Sequence, residues 1–349
     1  MTLAAHEGLV EIDEDSPEAV YALADERGWG DGLPLVLPTP RRVEAMLAYA
    51  TGDPDEVLAL LPPRLGELTR RIVAVNAVMA GCPPEVFPVV LTAMRALTAE
   101  QVNLRGVNAT THSVAPLTVV HGAVVKECGF NAGTGAFGPG NRANATVGRA
   151  VRLILLHVAG ARPGAGDAST QGQPSKYTYC IAENTDECPW ESYPASIGVD
   201  APSAVTVHCG ENPHNVHDME LAGDPAILLD KYASTLASLG MNNAAISQGE
   251  IFLMLNPEHA ATCARRGWQR SDVSSYVYER ARLPAAVFRR HFSTVAWAPW
   301  MTAVPDDHLL PMTASPDNIK VIVVGGAGKN AGLVPSFGMT RSVTLPVEG

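Results

Sequence analysis

The sequence predicts a mixed α/β fold of the α+β type, in which a helix-rich N-terminal half packs on an α/β C-terminal half. The chain has 349 residues, of which 46% are hydrophobic, so it can bury a large core. Up to residue 165 most apolar runs have helical length and spacing. Beyond that point β-branched runs alternate with helical segments, as in α/β layers. We therefore divide the chain into 1–165 and 166–349, and expect one integrated globular unit.

The helices predicted for the first half follow local start and stop signals. Thr39 and Pro40 open one helix, as its N-cap and its first helical residue, because the missing N–H of proline would be unpaired there anyway. That helix runs to Tyr49. The other predicted helices are 16–27, 54–61, 68–80, 84–97 and 144–158, and a β-branched run predicts a strand at 117–121.

The second half alternates predicted strands with predicted helices. Runs of β-branched and aromatic residues predict strands at 177–182, 204–208, 250–255 and 320–324. Helical spacing predicts helices at 226–239, 258–266, 271–282 and 284–291. The apolar content and the tryptophan-containing segment 297–300 suggest a homo-oligomer.

Charge and cysteine usage exclude several classes of function. The formal net charge is −11, without a basic cluster, so the chain lacks the charge pattern of a nucleic-acid binder and disfavours anionic membranes. The six cysteines form no C-x-x-C pair, as in a reduced compartment. The first residues are acidic where a signal peptide is basic, and the apolar stretch 147–158 is too short and too charged to span a bilayer. We expect a cytoplasmic protein that binds neither nucleic acid nor membranes.

Cys82 is the first candidate for chemistry. Gly81 ends one predicted helix and Pro83 suits the first turn of the next, which places Cys82 at the N-cap, beside unpaired N–H groups and the positive end of the helix dipole. That setting favours thiolate over thiol. Glu85 competes for the same N–H groups, and the alternative is a small buried residue at a tight helix corner.

A glycine-rich segment, 129–140, is the second candidate. Its glycines allow backbone conformations closed to other residues, and the helix that follows exposes N–H groups to an anion at its N-terminus. We expect a carboxylate or phosphate to bind there; the alternative is a tight connection that only packs the helix. The predicted ligand-binding residues are Gly138, Gly140, Asn141, Arg142 and Asn144.

Polar residues also crowd the segment 170–184. Lys176 is a candidate for proton transfer together with Glu183, although the two could equally form an ordinary ion pair. Gln171 and Gln173 are candidate substrate contacts in the same segment.

The segment 208–218 holds the highest density of metal-ligand residue types. Its spacing matches no standard zinc motif, so we predict no metal there and retain His214 as an acid or base, because imidazole titrates near neutrality. Two isolated histidines, His112 and His259, are expected to be structural. If a metal is nevertheless bound, the predicted ligands are His208, Cys209, His214 and His217.

In the segment 323–329, a β-branched run is followed by glycines and a lysine. The segment lacks the leading glycine and the final Ser or Thr of a phosphate loop, so nucleotide hydrolysis is not predicted. Lys329 is a candidate for anion binding or charge stabilisation.

Taken together, several runs resemble a family of uncharacterised bacterial proteins, some of them associated with small UGSC-type (seleno)proteins. The resemblance covers nearly the whole chain and implies an enzyme-like protein with a thiol or selenol protein partner. The family pattern has His after the lysine of the last motif, where this chain has Asn330. The runs are DGLPLVLPT at 31–39, VMAGCPPE at 78–85, FGPGNRANATVGRA at 137–150, TQGQPSK at 170–176, EHA at 258–260 and VGGAGK at 324–329.

These observations combine into one hypothesis, a cytosolic enzyme that acts on a small anionic metabolite through the Cys82 thiolate. Lys176, His214 and Lys329 would transfer protons or stabilise charge. Lyase, transferase and thiol-redox reactions remain open, and no cofactor is implied. The alternatives are a metalloenzyme with ligands around 208–217 and a non-catalytic subunit of a biosynthetic complex.

Overall fold

The fold is described from a computed structural model for residues 16–219, 223–245, 249–292 and 302–348. The first half is mostly helical, as predicted. Its elements are α1 (Pro17–Glu26), α2 (Pro40–Leu47), β1 (Val57–Leu61), β2 (Gly66–Thr69), α3 (Arg70–Ala80), α4 (Phe87–Leu97), α5 (Leu104–Ala109), β3 (Ala115–Gly122), α6 (Ala123–Glu127) and α7 (Arg142–His157).

The second half alternates strands and helices. Its elements are β4 (Cys180–Ala182), α8 (Tyr193–Ser196), β5 (Ser203–Gly210), β6 (His214–His217), α9 (Pro225–Leu236), α10 (Asn242–Ala245), β7 (Ile251–Leu255), α11 (Pro257–Ala264), α12 (Arg270–Arg280), β8 (Arg282–Pro284), α13 (Ala285–His291), β9 (Leu309–Pro311), β10 (Ile319–Val323), β11 (Asn330–Pro335) and β12 (Val343–Pro346).

Two four-stranded sheets form the middle of the molecule, with strand orders β12-β5-β3-β4 and β10-β7-β11-β6. Within them, β3–β4 and β7–β10 are parallel and the other pairs are antiparallel. Helices α4 and α7 cover the outer face of the first sheet, and helix α3 packs on these two helices. Helices α9, α11 and α12 cover the outer face of the second. The α+β prediction is confirmed, with four layers in the order helices, sheet, sheet, helices.

The central strands are apolar on both faces because each lies between two layers. In β7, Phe252 and Met254 face the first sheet, while Ile251, Leu253 and Leu255 face the helices of the second. Successive side chains of a strand point to opposite faces, so a doubly covered strand has a continuous apolar run. This is why the sequence identified β7 and β10 correctly.

The helix predicted at 54–61 is wrong. Val57–Leu61 forms strand β1, which pairs antiparallel with Gly66–Thr69 as a hairpin. A run of five apolar residues is too short to separate a strand from a helix by its pattern, and pairing with β2 decides the outcome. Thr69 then begins α3, because its side chain accepts a hydrogen bond from the N–H of Ile72 at 3.2 Å.

The first sheet crosses the boundary that we placed at residue 165. Strand β3 precedes the boundary, whereas its neighbours β4 and β5 follow it. In the described ranges no helix is long and apolar enough to cross a membrane. The segment 297–300, on which the oligomer prediction depended, lies outside the described residues.

One buried carboxylate joins the first sheet to the outer helix layer of the second. Glu183, directly after β4, accepts a hydrogen bond from His121 of β3 at 2.8 Å, one from Arg270 of α12 at 3.0 Å and one from the backbone N–H of Tyr193 at 2.9 Å. Burial raises the pKa of Glu183, but the hydrogen bond from His121 and the charge of Arg270 outweigh it and lower the pKa. The other ring nitrogen of His121 bonds Thr206 of β5 at 2.8 Å.

We predict that Glu183→Gln destabilises the protein strongly, because it leaves the Arg270 guanidinium buried without a counter-charge. The free energy of unfolding should fall by about 3–5 kcal/mol in urea titrations at neutral pH. The matched control is Glu191→Gln, since Glu191 has an exposed side chain near the same site. Equal losses for the two variants would contradict a structural role for Glu183.

Candidate functional site

Cys82 lies at the end of α3 and not at the start of the next helix. Helix α3 ends at Gly81, which is left-handed (φ 89°), and the N–H of Cys82 donates to the carbonyl oxygen of Ala77 at 3.0 Å. The following 3-10 turn has Pro83 as its N-cap, and α4 begins at Phe87. The predicted N-cap position of Cys82 is therefore wrong.

The environment of the thiol also differs from the prediction. Cys82 is 5% exposed and belongs to the core formed by α3, α4 and α7. Burial raises the pKa of the Cys82 thiol to about 12, although a hydrogen bond with Thr146 and the charge of Arg142 act in the opposite direction. The buried position does not support the expected thiolate, which stays a prediction from the sequence.

We predict that Cys82 in the native protein does not react with iodoacetamide at about pH 7.5, because a thiolate is the reactive form. Peptide mass spectrometry should find Cys82 unlabelled before unfolding in urea and labelled after it. The half-buried Cys128 provides an internal comparison. Labelling of Cys82 as fast as Cys128 in the native protein would contradict the buried-thiol description.

The glycine-rich segment 129–140 leads into α7, as predicted. Asn141 is the N-cap, and its side chain accepts from the N–H of Asn144 at 2.9 Å. The side chain of Asn144 is buried and holds both backbone groups of Asn131, at 2.8 and 3.0 Å. Gly138 and Gly140 are exposed, and Gly140 has a positive φ of 108° with no heavy atom within 4 Å of a Cβ position. The buried side chain of Asn144 therefore holds the start of the segment in place, while Gly138 and Gly140 lie on the exposed surface.

The same segment contacts the loop that contains Lys329. The N–H of Gly325 donates to the carbonyl oxygen of Ala132 at 2.8 Å, and Gly326 lies so close to Thr134 that a Cβ would meet its hydroxyl oxygen at 2.1 Å. The structure therefore brings together two glycine-rich segments that the sequence analysis treated separately. Lys329 itself is exposed.

A second cluster, which we call the Glu211 cluster, consists of Glu211, His112 and His214. Nε2 of His112 lies 3.0 Å from Oε1 of Glu211, and Nε2 of His214 lies 2.9 Å from Oε2. Burial raises the pKa of Glu211, but the two histidine hydrogen bonds outweigh it and lower the pKa to about 2. The carboxyl group is therefore ionised at neutral pH and bridges two imidazoles.

Polar groups from the segment 170–184 surround this cluster. The hydroxyl of Tyr179 donates to the backbone oxygen of Glu211 at 2.8 Å, and the side chain of Gln173 donates to the carbonyl of Gly210 at 3.1 Å. The Tyr179 ring also lies 6.3 Å, between centroids, from Phe137 of the glycine-rich segment. Two of the predicted regions therefore meet at Tyr179.

His112 was predicted to be structural, but it lies beside Glu211 in the cluster. The signal that could have found it is the register of the first sheet, in which Ala115 of β3 opposes Gly210 of β5. Antiparallel pairing of these two strands brings the residue before β3 beside the residue after β5, although they are far apart in sequence. His259, by contrast, is buried with Nδ1 at 2.8 Å from the hydroxyl of Tyr232.

The remaining predicted residues lie apart from the Glu211 cluster or have other partners. Lys176 and Arg152 both pair with the buried carboxylate of Asp167, at 2.6 and 3.2 Å. Burial lowers the pKa of Lys176, while Asp167 raises it less. Lys176 therefore forms an ordinary ion pair, which was the alternative to proton transfer, but its partner is Asp167 and not Glu183. Gln171 is exposed.

The alternative metal ligands do not converge. His214 and His217 belong to strand β6, where a spacing of three directs their side chains to opposite faces. His208 and Cys209 are neighbours in β5 and also face opposite ways. The His208 ring stacks on Phe252 at 4.1 Å, and burial lowers its pKa to about 3. Within the described ranges, no group of three or more His, Cys, Asp or Glu could hold a metal ion.

In comparisons with known proteins, no family model and no curated protein matches the chain.

We predict that ionised Glu211 contributes to stability in a defined pH range. Its folded-state pKa of about 2 lies below the ordinary 4.5, so the contribution is present above pH 4.5 and is lost as the pH falls towards 2. The unfolding free energies of the wild type and Glu211→Gln should therefore converge on acidification through this range. Exposed Glu67 gives the control, Glu67→Gln, which should track the wild type. A constant difference between the wild type and Glu211→Gln would contradict the assignment.

Proposed function

We propose that the protein is an enzyme that acts on a small anionic molecule and uses the Glu211 cluster for proton transfer. The observation that carries this proposal is the partly exposed carboxylate of Glu211, hydrogen-bonded to His112 and His214 at 3.0 and 2.9 Å. Perturbed carboxylates with specific partners are enriched at functional sites.

The chemistry follows from the hydrogen-bond roles. A carboxylate that accepts from one ring nitrogen orients the imidazole and stabilises the imidazolium formed when the other nitrogen takes a proton. Imidazole is suited to give and take protons near neutral pH. The side chain of His214 is 35% exposed, so a substrate can reach its ring. We assign proton transfer to His214.

The glycine-rich segment 129–140 is the proposed anion-binding part of the site. Gly135 and Gly140 have positive φ angles and no heavy atom within 4 Å of a Cβ position, so backbone N–H groups can approach a ligand closely. Exposed Arg142 begins α7, and its Nε donates to the carbonyl oxygen of Gly81 at 3.0 Å. Its guanidinium adds positive charge beside the helix N-terminus. Phe137 extends this surface towards Tyr179 and the cluster.

Cys82 has no catalytic part in this proposal. Its thiol is buried and its pKa is raised to about 12, so it is not ionised at neutral pH. Lyase and transferase reactions remain compatible with a histidine that moves protons. The cytoplasmic location, the homo-oligomer and the thiol or selenol protein partner remain predictions from the sequence.

The test is a thermal-shift screen of the full-length protein against small carboxylates and phosphates, followed by NMR detection of turnover for each compound that stabilises it. We expect His214→Gln and Glu211→Gln to bind the same compounds and to turn them over roughly 100-fold or more slowly, the usual contribution of a general acid or base. His217→Gln is the matched control, because His217 is an exposed histidine at the other end of β6.

Two outcomes would refute the proposal. In one, no anionic compound stabilises the wild type. In the other, compounds bind and react, but His214→Gln and Glu211→Gln keep the rate of His217→Gln. Weaker binding by Arg142→Gln than by Arg105→Gln, at another exposed arginine, would support the assignment of the anion site.

A further inference from the structure

We infer that the two imidazoles of the Glu211 cluster have different roles: His112 stays neutral and holds the carboxylate in place, while His214 carries the exchangeable proton. His112 is then a positioning residue and not a catalytic one. This inference rests on the proposed function and adds a division of labour within the same site.

The hydrogen-bond roles of Glu211 fix one proton on each ring. Nε2 of each histidine faces a different carboxylate oxygen, at 3.0 and 2.9 Å. An ionised carboxylate can only accept hydrogen bonds, so each Nε2 must carry a hydrogen. The protonation state of each ring therefore depends on its Nδ1.

The environment of the His112 Nδ1 atom disfavours a second proton on this ring. This atom is buried and has no hydrogen-bond partner among the described residues. The ring stacks on Phe337, with centroids 6.0 Å apart and an interplanar angle of 21°. A proton on Nδ1 would bury an unpaired N–H on a charged ring, which is unfavourable because water can no longer solvate it. His112 is therefore stable as the neutral Nε2–H form.

His214 has a different environment. Its side chain is 35% exposed, against 18% for His112, so water can accept a hydrogen bond from a protonated ring. The residue opposite it in β11 is the apolar Leu333. When the cluster gains a proton, His214 is the ring that can hold it.

The groups that face the cluster leave this asymmetry intact. Tyr179 donates to the backbone oxygen of Glu211, and burial raises the pKa of its hydroxyl, so it stays neutral. Gln173, from the segment before β4, is uncharged. Within the described residues, Glu211 is the charged side chain that hydrogen-bonds either ring.

The test uses full-length protein with ¹⁵N-labelled histidine, because long-range ¹H–¹⁵N spectra identify which ring nitrogens carry hydrogen. Between about pH 8 and pH 5, the range in which histidines titrate, His214 should gain its second proton while His112 keeps the neutral Nε2–H pattern. The His217→Gln variant identifies the NMR signals of the exposed His217 and should leave the protonation patterns of His112 and His214 unchanged.

Two variants separate positioning from mere packing. His112→Gln retains an amide that can donate to Glu211 and should preserve the behaviour of His214. His112→Phe retains a ring against Phe337 but removes the donor. It should raise the pKa of the Glu211 carboxyl, followed by ¹³C NMR, because a hydrogen bond that stabilises the ionised carboxylate is lost.

Double protonation of His112 before His214 would overturn the inference. So would a His112→Phe variant in which the Glu211 carboxyl titrates as in the wild type. The spectra locate protons without any substrate, so this failure is distinguishable from a failure of the compound screen, which would refute the proposed function instead.

Discussion

The buried carboxylate of Glu183 is the constraint on which the arrangement of layers depends. It accepts hydrogen bonds from His121 in one sheet and from Arg270 in the outer helix layer of the other. Apolar contacts between two sheets do not fix their relative position, because such contacts are non-directional. Hydrogen bonds to a desolvated charge are directional, and a displacement that breaks them leaves that charge unpaired. Glu183 therefore holds the first sheet against helix α12, the outer layer of the second sheet.

That placement also brings the candidate site together. Strand β3 carries His121 in its interior and begins three residues after His112, so the same strand serves both clusters. Tyr179, just before β4, connects the Glu211 cluster with Phe137 of the glycine-rich segment. His112 and Glu211 lie in loops at the ends of strands, and His214 is the first residue of β6, so the site is held at strand ends, where rigid scaffolds usually carry functional groups.

The sequence was most informative where structure depends on local signals. Helices α2 and α7 begin at the predicted residues or within two of them, since their capping residues are neighbours in the chain. Strands β6 and β11 were missed, because each is short and its strand conformation depends on a partner distant in sequence. The same limit applies to chemistry. The environment of Cys82 was misjudged because local spacing does not reveal burial, and the contact of His112 with Glu211 requires the sheet register.

Strand β12 occupies one edge of the first sheet, although its residues 343–346 come far along the chain from β5, the strand it pairs with. During synthesis, β3 and β4 can assemble with β5 while the remaining backbone N–H and C=O groups of β5 still have no neighbour. Uncovered sheet edges pair with strands of other molecules. A chain without residues 343–346 would therefore expose β5 as a template for aggregation.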